Sequence, residues 1–469
     1  MDRLLVSAAH KSSGKTTLAV GLAAALSAAG TVVQPFKKGP DYIDPMWLAR
    51  AAGRPCLNLD PWLMDDAALQ RCFVGALPGA DMALVEGNKG LYDGLALDGS
   101  NSNAALAGRL GLPVLLVIDA RGMTRGIAPL ILGYQAFDTE IRIGGVILNR
   151  LGGARHEAKL RAVIEHYTDV PVLGAVAEDR RLAVLERHLG LVPCAEIDDA
   201  QDRVDAIARM VAAQVDLDRV RALAASAGPL AIGANDLAPP IAAAPARDLR
   251  IGIARDRAFG FYYPDDLAAL EAAGAELVPI DTLHDHRLPA IDGLFIGGGF
   301  PETCMAELEA NVALRGAIRL AIAQGLPTYA ECGGLMYLAR SISWRGRSAA
   351  MVGAIPGDAV MHERPVGRGY VQLQQTAATP WGGTDGDTLR GHEFHHSSLD
   401  RLDPGVAFAY RVQRGHGVDG VNDGVLVHNL LASYTHLRSG AGSTWAPRFV
   451  DFVRRQRELR RDAAAALAA

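Results

Sequence analysis

Short apolar runs of strand length alternate with Ala/Leu-rich stretches of helical length, and this alternation constrains the fold more than any other feature of the chain. LLVSAA (4–9), MALVEG (82–87), PVLLVID (113–119), IGGVILN (143–149) and VPVLGAV (170–176) are rich in β-branched residues. Between them lie segments such as TTLAVGLAAALSAAG (16–30), helix formers closed by a glycine. Strands that are apolar along their whole length are buried on both faces, so helices must cover both sides of a parallel sheet. The rhythm lapses between about Leu223 and Arg247, where Pro-Pro, Gly-Pro and many alanines with little charge suit a connector. It resumes with LRIGIAR (249–255), GAELVPI (274–280), IDGLFIGGG (291–299) and GLPTYAECGG (325–334). The expected fold class is α/β in two domains, 1–225 and 249–469, joined by a linker at 226–248. A length of 469 residues agrees, at roughly 150 residues per domain. The last residues, RRQRELRRDAAAALAA, read as a terminal helix with a solvated basic face.

Composition narrows the function. The 47 Lys+Arg against 52 Asp+Glu leave a charge of -5, which argues against a general nucleic-acid binder, so an acidic ligand must be met by a local cluster of cations. No segment reaches the roughly 18–20 apolar residues that cross a bilayer. The five cysteines, Cys56, Cys72, Cys194, Cys304 and Cys332, are odd in number and contain no CxxC pair, which points to a reduced, cytoplasmic protein.

The first strand runs into Ala9-His-Lys-Ser-Ser-Gly14-Lys15-Thr16 and then a long helix. This is the spacing of a P-loop, with Ala9 where the first glycine belongs. Backbone N–H groups of such a loop cradle phosphate, Lys15 neutralises β/γ oxygens and the Thr16 hydroxyl ligates Mg²⁺. Lys11 is either a second phosphate contact or a solvent-facing lysine. Glu86 closes the strand MALVEG, at the strand end where ligands gather in such sheets. Pro35-Phe-Lys37-Lys38-Gly-Pro-Asp41-Tyr-Ile-Asp44-Pro sets two carboxylates beside two lysines. Asp41 and Asp44 could hold Mg²⁺ or orient a substrate, and Lys37 and Lys38 could meet anionic oxygens. The plainer reading is a turn with Asp caps and self-paired charges.

In the second domain, Thr328-Tyr-Ala-Glu331-Cys332-Gly333-Gly334 carries an apolar strand into a cysteine, two glycines and a helix. Small residues permit the sharp turn that lifts a nucleophile off a sheet, and a helix N-terminus favours the thiolate. The other four cysteines are expected to be packed structural thiols. A thiol nucleophile needs a base. Of 13 histidines, seven lie between His362 and His436, and His436, at the end of an apolar strand-like stretch, is the expected base. His392, His395 and His396 form a competing cluster, better read as a polar strand or loop near a domain junction than as a metal site. Backbone N–H groups of Gly298, Gly299 and Gly333 are expected to form an oxyanion hole.

These motifs together resemble the cobyrinic acid a,c-diamide synthase family. The likeness runs nearly end to end: the P-loop, KKGPDYIDP, VEGNKGLYDG (85–94), GVILNR (145–150), ERHLGLVP (186–193), FGFYYPDDL (259–267), GGGFPE (297–302), YAECGGLMYL (329–338), GHEFHHS (391–397) and SYTHL (433–437). The resemblance implies an N-terminal P-loop parallel sheet similar to dethiobiotin synthetase and a C-terminal class I glutamine amidotransferase-like α/β domain. It implies ATP and Mg²⁺ as cofactors and a step of cobalamin biosynthesis in which peripheral tetrapyrrole carboxylates are amidated. Cys332 and His436 would free ammonia from glutamine. Lys11, Ser12, Ser13, Gly14, Lys15, Thr16, Thr17 and Asn149 would bind nucleotide, and Thr16, Asp41 and Glu86 the metal. Lys37, Lys38, Asp41, Tyr42, Asp44, Asn88, Lys89, Tyr92 and Asp93 would meet substrate. The expected partners are small molecules, with no nucleic acid and no membrane, the chain acting alone or as a homodimer. Arg438 stands where many glutaminases of this class keep a Glu two residues after the histidine, which leaves open what orients the imidazole. Lys38, Asn88, Lys89 and Asp266 also depart from the common pattern. Relatives that amidate sirohaem or nickel-sirohydrochlorin share the framework and are the nearest alternative. A P-loop partition or carrier ATPase would explain only the first domain, and a tetrapyrrole binder with a decayed site would not need Lys15, Cys332 and His436.

Overall fold

The computed structural model describes residues 1–179, 186–187, 190–230, 247–381, 385–439 and 444–468, and side chains except at 186–187, 190–191, 195 and 463–468. The chain divides into two compact units, Met1–Pro240 and Ile241–Ala469. Most of the expected linker, 231–246, lies outside the described residues. Of its first residues, Ser226 and Gly228 offer their carbonyls to Arg142 and Arg3 of the first unit.

The first unit is built on seven strands: β1 (Asp2–Ala8), β2 (Val33–Lys38), β3 (Leu57–Leu59), β4 (Met82–Glu86), β5 (Val114–Asp119), β6 (Ile143–Leu151) and β7 (Val172–Ala177). They lie in the order β3-β2-β4-β1-β5-β6-β7, and every pairing is parallel. The helices are α1 (Lys15–Ala28), α2 (Ile43–Ala52), α3 (Asp66–Gly75), α4 (Asn103–Leu110), α5 (Ile127–Phe137), α6 (Ala154–Tyr167), α7 (Ala200–Gln214) and α8 (Leu217–Ala225). A two-residue pair, β8 (Glu186–Arg187) with β9 (Gly190–Leu191), is antiparallel. β1, β4 and β5 are buried almost throughout, as strands covered on both faces must be. α1 carries no charge beyond Lys15 and is buried from Leu18 to Leu26, with Val211 and Ile207 of α7 pressed against Gly21. β2 is a strand the apolar pattern does not announce, because Pro35 and two lysines interrupt it.

The second unit is a nine-stranded sheet. Its strands are β10 (Leu249–Ala254), β12 (Ala275–Ile280), β13 (Gly293–Ile296), β15 (Thr328–Glu331), β19 (Gly367–Gln375), β20 (Thr388–His395), β22 (Ala407–Arg414), β23 (Asn422–Val427) and β24 (Leu430–Ser433). The order is β12-β10-β13-β15-β24-β23-β22-β19-β20. The strands from β12 to β24 are parallel, and antiparallel pairings take over beyond β24. Alternate residues feed two cores: Leu294, Ile296 and Ala330 face one, Phe295 and Tyr329 the other. Helices α10 (Met305–Ala310), α11 (Val312–Ala323) and α12 (Gly333–Leu338) cover the first face, and α9 (Pro264–Ala272) and α13 (Trp445–Ala468) the second. A small sheet of β16 (Ser341–Trp344), β17 (Arg347–Ala350), β18 (Asp358–Met361) and β21 (Ser397–Asp400) adjoins it, as does the pair β11 (Phe259–Phe261) with β14 (Gly298–Gly299). The basic face of α13 is not simply solvated, because Arg454 and Arg457 pair with Asp248.

Candidate active site

In the first unit the candidate residues converge on the C-terminal edge of the sheet, where open parallel sheets bind ligands. β1 leads into the loop 9–14, and α1 starts at Lys15 with no acidic residue in its first turn. The N–H groups of that turn have no intrahelical acceptor and stand ready for an anion. Ala9 is absent from the residues with positive φ, whereas Ser12 (65°) and Gly14 (82°) are left-handed, so the position occupied by alanine is one that needs no glycine. The end of β6 holds the loop: Asn149 Nδ2 donates to Ser13 O at 2.8 Å and Arg150 Nη1 to Ser12 O at 2.8 Å. A cavity of about 260 Å³ opens beside Gly14, Thr17, Asn149, Arg121 and Arg150. Lys11 is exposed, and the Ser13 hydroxyl is spent on His10 O at 2.8 Å.

Behind the loop lies a buried charge cluster. Thr16 Oγ1 donates to Glu86 Oε1 at 2.6 Å and lies 3.3 Å from Asp44 Oδ2. Lys37 Nζ bridges Asp44 Oδ2 at 2.5 Å and Glu86 Oε1 at 3.1 Å, and Lys15 Nζ lies 3.8 Å from Glu86. Burial and Lys37 pull the Lys15 ammonium below its ordinary range, whereas for Lys37 the carboxylates of Asp44 and Glu86 outweigh burial and push it up. Asp41 is placed otherwise than in the expected metal set of Thr16, Asp41 and Glu86. Its Oδ1 accepts from the N–H groups of Ile43 (2.9 Å) and Asp44 (3.0 Å) at the start of α2, and it is Asp44 that reaches Thr16. Burial and Asp44 push Asp41 up to about 7.

Among the described residues no group of three or more His, Cys, Asp or Glu gathers as a metal cage. Two carboxylates and a hydroxyl nevertheless fit Mg²⁺, which keeps waters and takes phosphate oxygens. Glu86 Oε2 is buried without a hydrogen-bond partner, as an oxygen reserved for a cation would be.

Of the remaining substrate candidates, Lys38 is buried, donates to Asn88 Oδ1 at 3.2 Å and is pulled down to about 8 by burial, with Lys89 and Lys37 adding to it. Lys89 is exposed and left-handed (φ 45°), and Tyr42 is buried. Tyr92 and Asp93 hold local structure: the Tyr92 hydroxyl donates to Tyr134 O at 2.6 Å, and Asp93 Oδ2 accepts from Gly90 N at 2.8 Å.

In the second unit β15 turns sharply into α12 at Cys332, whose φ of 48° and ψ of -102° are strained for a side chain of this size. A Cβ on Gly333 would fall 2.9 Å from Gly299 N, so β14 passes directly against the elbow. The Cys332 N–H is taken by Ser433 O at 2.8 Å, but Gly333 N opens a helix and has no intrahelical acceptor. His436 is hydrogen-bonded to Cys332. Its Nδ1 lies 3.2 Å from Glu331 Oε2. Burial opposes a charge there, yet the bonds to Cys332 and Glu331 and the attraction of both raise His436 to about 10. His392 backs the imidazole, with ring centroids 4.9 Å apart and mutual backbone hydrogen bonds of 3.1 and 2.8 Å. Burial and His436 drive His392 well below the ordinary histidine range, and its Nδ1 meets the Tyr263 hydroxyl at 3.2 Å. His395 and His396 give their Nδ1 to the carbonyls of Ser397 (2.7 Å) and His362 (3.2 Å).

Glu331, whose carboxylate meets the His436 imidazole, is a neighbour of the site that the motifs do not single out. The usable signal was a lone carboxylate ending an apolar strand, one residue before the nucleophile. Arg438, where the class commonly has its acid, turns to Asp265 instead (2.7 Å) and lies over the Tyr263 ring. Cys56, Cys194 and Cys304 are buried, Cys72 is half-buried, and none of the five cysteines forms a disulfide.

Residues 5–191 match the CobQ/CobB/MinD/ParA nucleotide binding domain, and residues 250–443 the CobB/CobQ-like glutamine amidotransferase domain. Across its length the chain is similar to the cobyrinate a,c-diamide synthase of Magnetococcus marinus, 48% identical over 97% of both chains. It is likewise similar to that of Methanosarcina acetivorans, 43% identical over 94% of this chain and 93% of the relative. That of Methanosarcina barkeri is 40% identical over 98% and 97%.

Proposed function

Because the chain belongs to the cobyrinate a,c-diamide synthase family, we propose that it uses ATP and glutamine to convert the a and c acetate carboxylates of cobyrinate into amides. One observation carries the reading: a thiol–imidazole centre at Cys332 and a phosphate-loop centre at Lys15 occupy the two units of a single chain. At the first, His436 takes the proton of Cys332, the thiolate attacks the glutamine carboxamide, and N–H groups of Gly298, Gly299 and Gly333 receive the developing oxyanion. His436 then gives its proton to the leaving ammonia, and water releases glutamate from the thioester. At the second, the loop 9–14 and Lys15 hold the triphosphate and Lys37 faces the transferred phosphoryl group. A carboxylate resists amide formation until it becomes an acyl phosphate, from which ammonia then displaces phosphate. Thr16, Asp44 and Glu86 would hold Mg²⁺, which when bound neutralises charge on the phosphoryl oxygens. Lys38, Asn88 and Lys89 are assigned to the macrocycle's other carboxylates. Asn149, beside the cavity at Gly14, is assigned to the nucleotide base. A reducing cytoplasmic setting, with the chain alone or as a homodimer, belongs to the same reading and suits a free thiol nucleophile.

The test is turnover of cobyrinate, hydrogenobyrinate and sirohaem in parallel, read as the mass change per amide. Diamidation of a cobyrinate-type ring is expected. Amidation of sirohaem alone would overturn the substrate assignment.

A further inference from the structure

We propose that Glu331 is the positioning residue of the glutaminase centre, its carboxylate fixing the His436 imidazole from the strand that carries the nucleophile. The inference rests on the reading of Cys332 as that nucleophile. Glu331 is buried, and both its oxygens are committed: Oε2 faces His436 Nδ1 at 3.2 Å, while Oε1 accepts from the Tyr329 hydroxyl at 2.6 Å and from Leu437 N at 2.9 Å. Three tethers of this kind fix a carboxylate to a single rotamer. The Leu437 bond also fixes the backbone next to the imidazole. A carboxylate at Nδ1 holds the proton there and leaves Nε2 to serve the sulfur.

The other groups around the imidazole do not perform this task. His392 of β20 stacks on it, but its Nδ1 faces the Tyr263 hydroxyl and its charged form is disfavoured by burial. Arg438 carries the wrong sign and pairs with Asp265 of α9, and Asp266 accepts from Ser439 N. The acid is therefore supplied by β15, beside β24 in the sheet, where Glu331 is in register with Ser433 three residues before His436. An arrangement of this kind needs no acid after the histidine.

The decisive variant is Glu331→Gln in the full chain, which keeps the shape and an oxygen for Tyr329 and Leu437 but removes the charge. Glutamine-dependent turnover should fall at least about 100-fold, in kcat more than in KM, as the loss of assisted proton transfer predicts. The alkaline limb of glutaminase activity should move to lower pH, whereas ammonia-dependent amidation should stay at the wild-type rate. Glu331→Asp, which keeps the charge, should hold the limb near its wild-type position. A purely structural role would lower activity without moving the alkaline limb, so an unmoved limb in Glu331→Gln, with activity lowered or not, overturns the proposal. Cys332→Ser separates the layers. If it still uses glutamine, the nucleophile assignment fails; if it is inert with glutamine while Glu331→Gln is not impaired, only the positioning role fails. Should Glu331→Gln not fold, ¹⁵N-histidine spectra of wild type minus those of His436→Asn decide. A proton on Nδ1 at neutral pH supports the proposal, and one on Nε2 alone overturns it.

Discussion

Gly298→Ala is the perturbation whose consequence the structure defines most closely. A Cβ on Gly298 would fall 2.6 Å from His436 Cε1 and 3.3 Å from the Phe261 side chain. Carbon atoms in contact sit about 3.5–4.0 Å apart, so one partner must yield by about 1 Å. Gly298 is not among the glycines with positive φ, so alanine suits its backbone and the strain passes to the neighbour. His436 has little room to yield, being bonded to Glu331 on one side and stacked on His392 on another. A displacement of about 1 Å in catalytic geometry costs roughly 100-fold in rate, and overpacking adds about 1–3 kcal/mol of instability. Glutaminase activity, measured as glutamate released, should therefore fall about 100-fold. Amidation from added ammonium should continue. Gly316→Ala, in α11 with nothing within 4 Å of its new Cβ, serves as the control. It should keep full activity and gain about 0.5–1 kcal/mol of stability. Glutaminase activity within threefold of wild type in Gly298→Ala would refute the placement of His436 against β14.

Three further outcomes follow from the same geometry. Gly14→Ala combines a φ of 82° with a Cβ 2.3 Å from Asn149 Nδ2, so calorimetry should find ATP binding lost and glutaminase activity kept; an unchanged Kd would contradict the phosphate-loop assignment. Lys37→Met leaves Asp44 and Glu86 as buried like charges, which should cost roughly 3–5 kcal/mol in chemical denaturation and abolish ammonia-dependent turnover; a fully active, equally stable variant would contradict it. Because His436 is raised to about 10, above its unfolded value of about 6.5, its pairing stabilises the fold fully below about pH 6.5. That contribution is lost as pH rises through about 10, and the glutaminase rate should fall over the same upper range. A decline centred near the ordinary histidine value of about 6.5 would contradict the ion pair.

What the sequence made legible were features carried by local pattern. The P-loop, Glu86 at a strand end and the Cys332 elbow each need only a strand, a turn and a helix start, and all are visible in a short window. What escaped depends on distant strands. Glu331 meets His436 because β15 and β24 are parallel neighbours, a pairing between residues 105 apart in the chain. Lys37 and Lys38 look equivalent in sequence, but strand alternation sends Lys37 to Asp44 and Glu86 and Lys38 to Asn88. The two aspartates of PDYIDP are likewise parted by the start of α2. Asp41, before the helix, turns back on its N–H groups, and Asp44, inside the first turn, reaches the cluster. β20, beyond β24, gave no clean alternation to read, because Arg390, Gly391, His392 and His395 interrupt its apolar positions.

Feeding glutamine labelled with ¹⁵N at the amide, together with unlabelled ammonium, ATP and cobyrinate, to wild type and Cys332→Ser tests the coupling of the two centres most directly. The wild type should place the heavy nitrogen in its product amides, and Cys332→Ser should make the same amides with light nitrogen only. Heavy nitrogen in the Cys332→Ser product, or no amide from the variant even with ammonium, would contradict a thiol centre that feeds a separate ATP-dependent one.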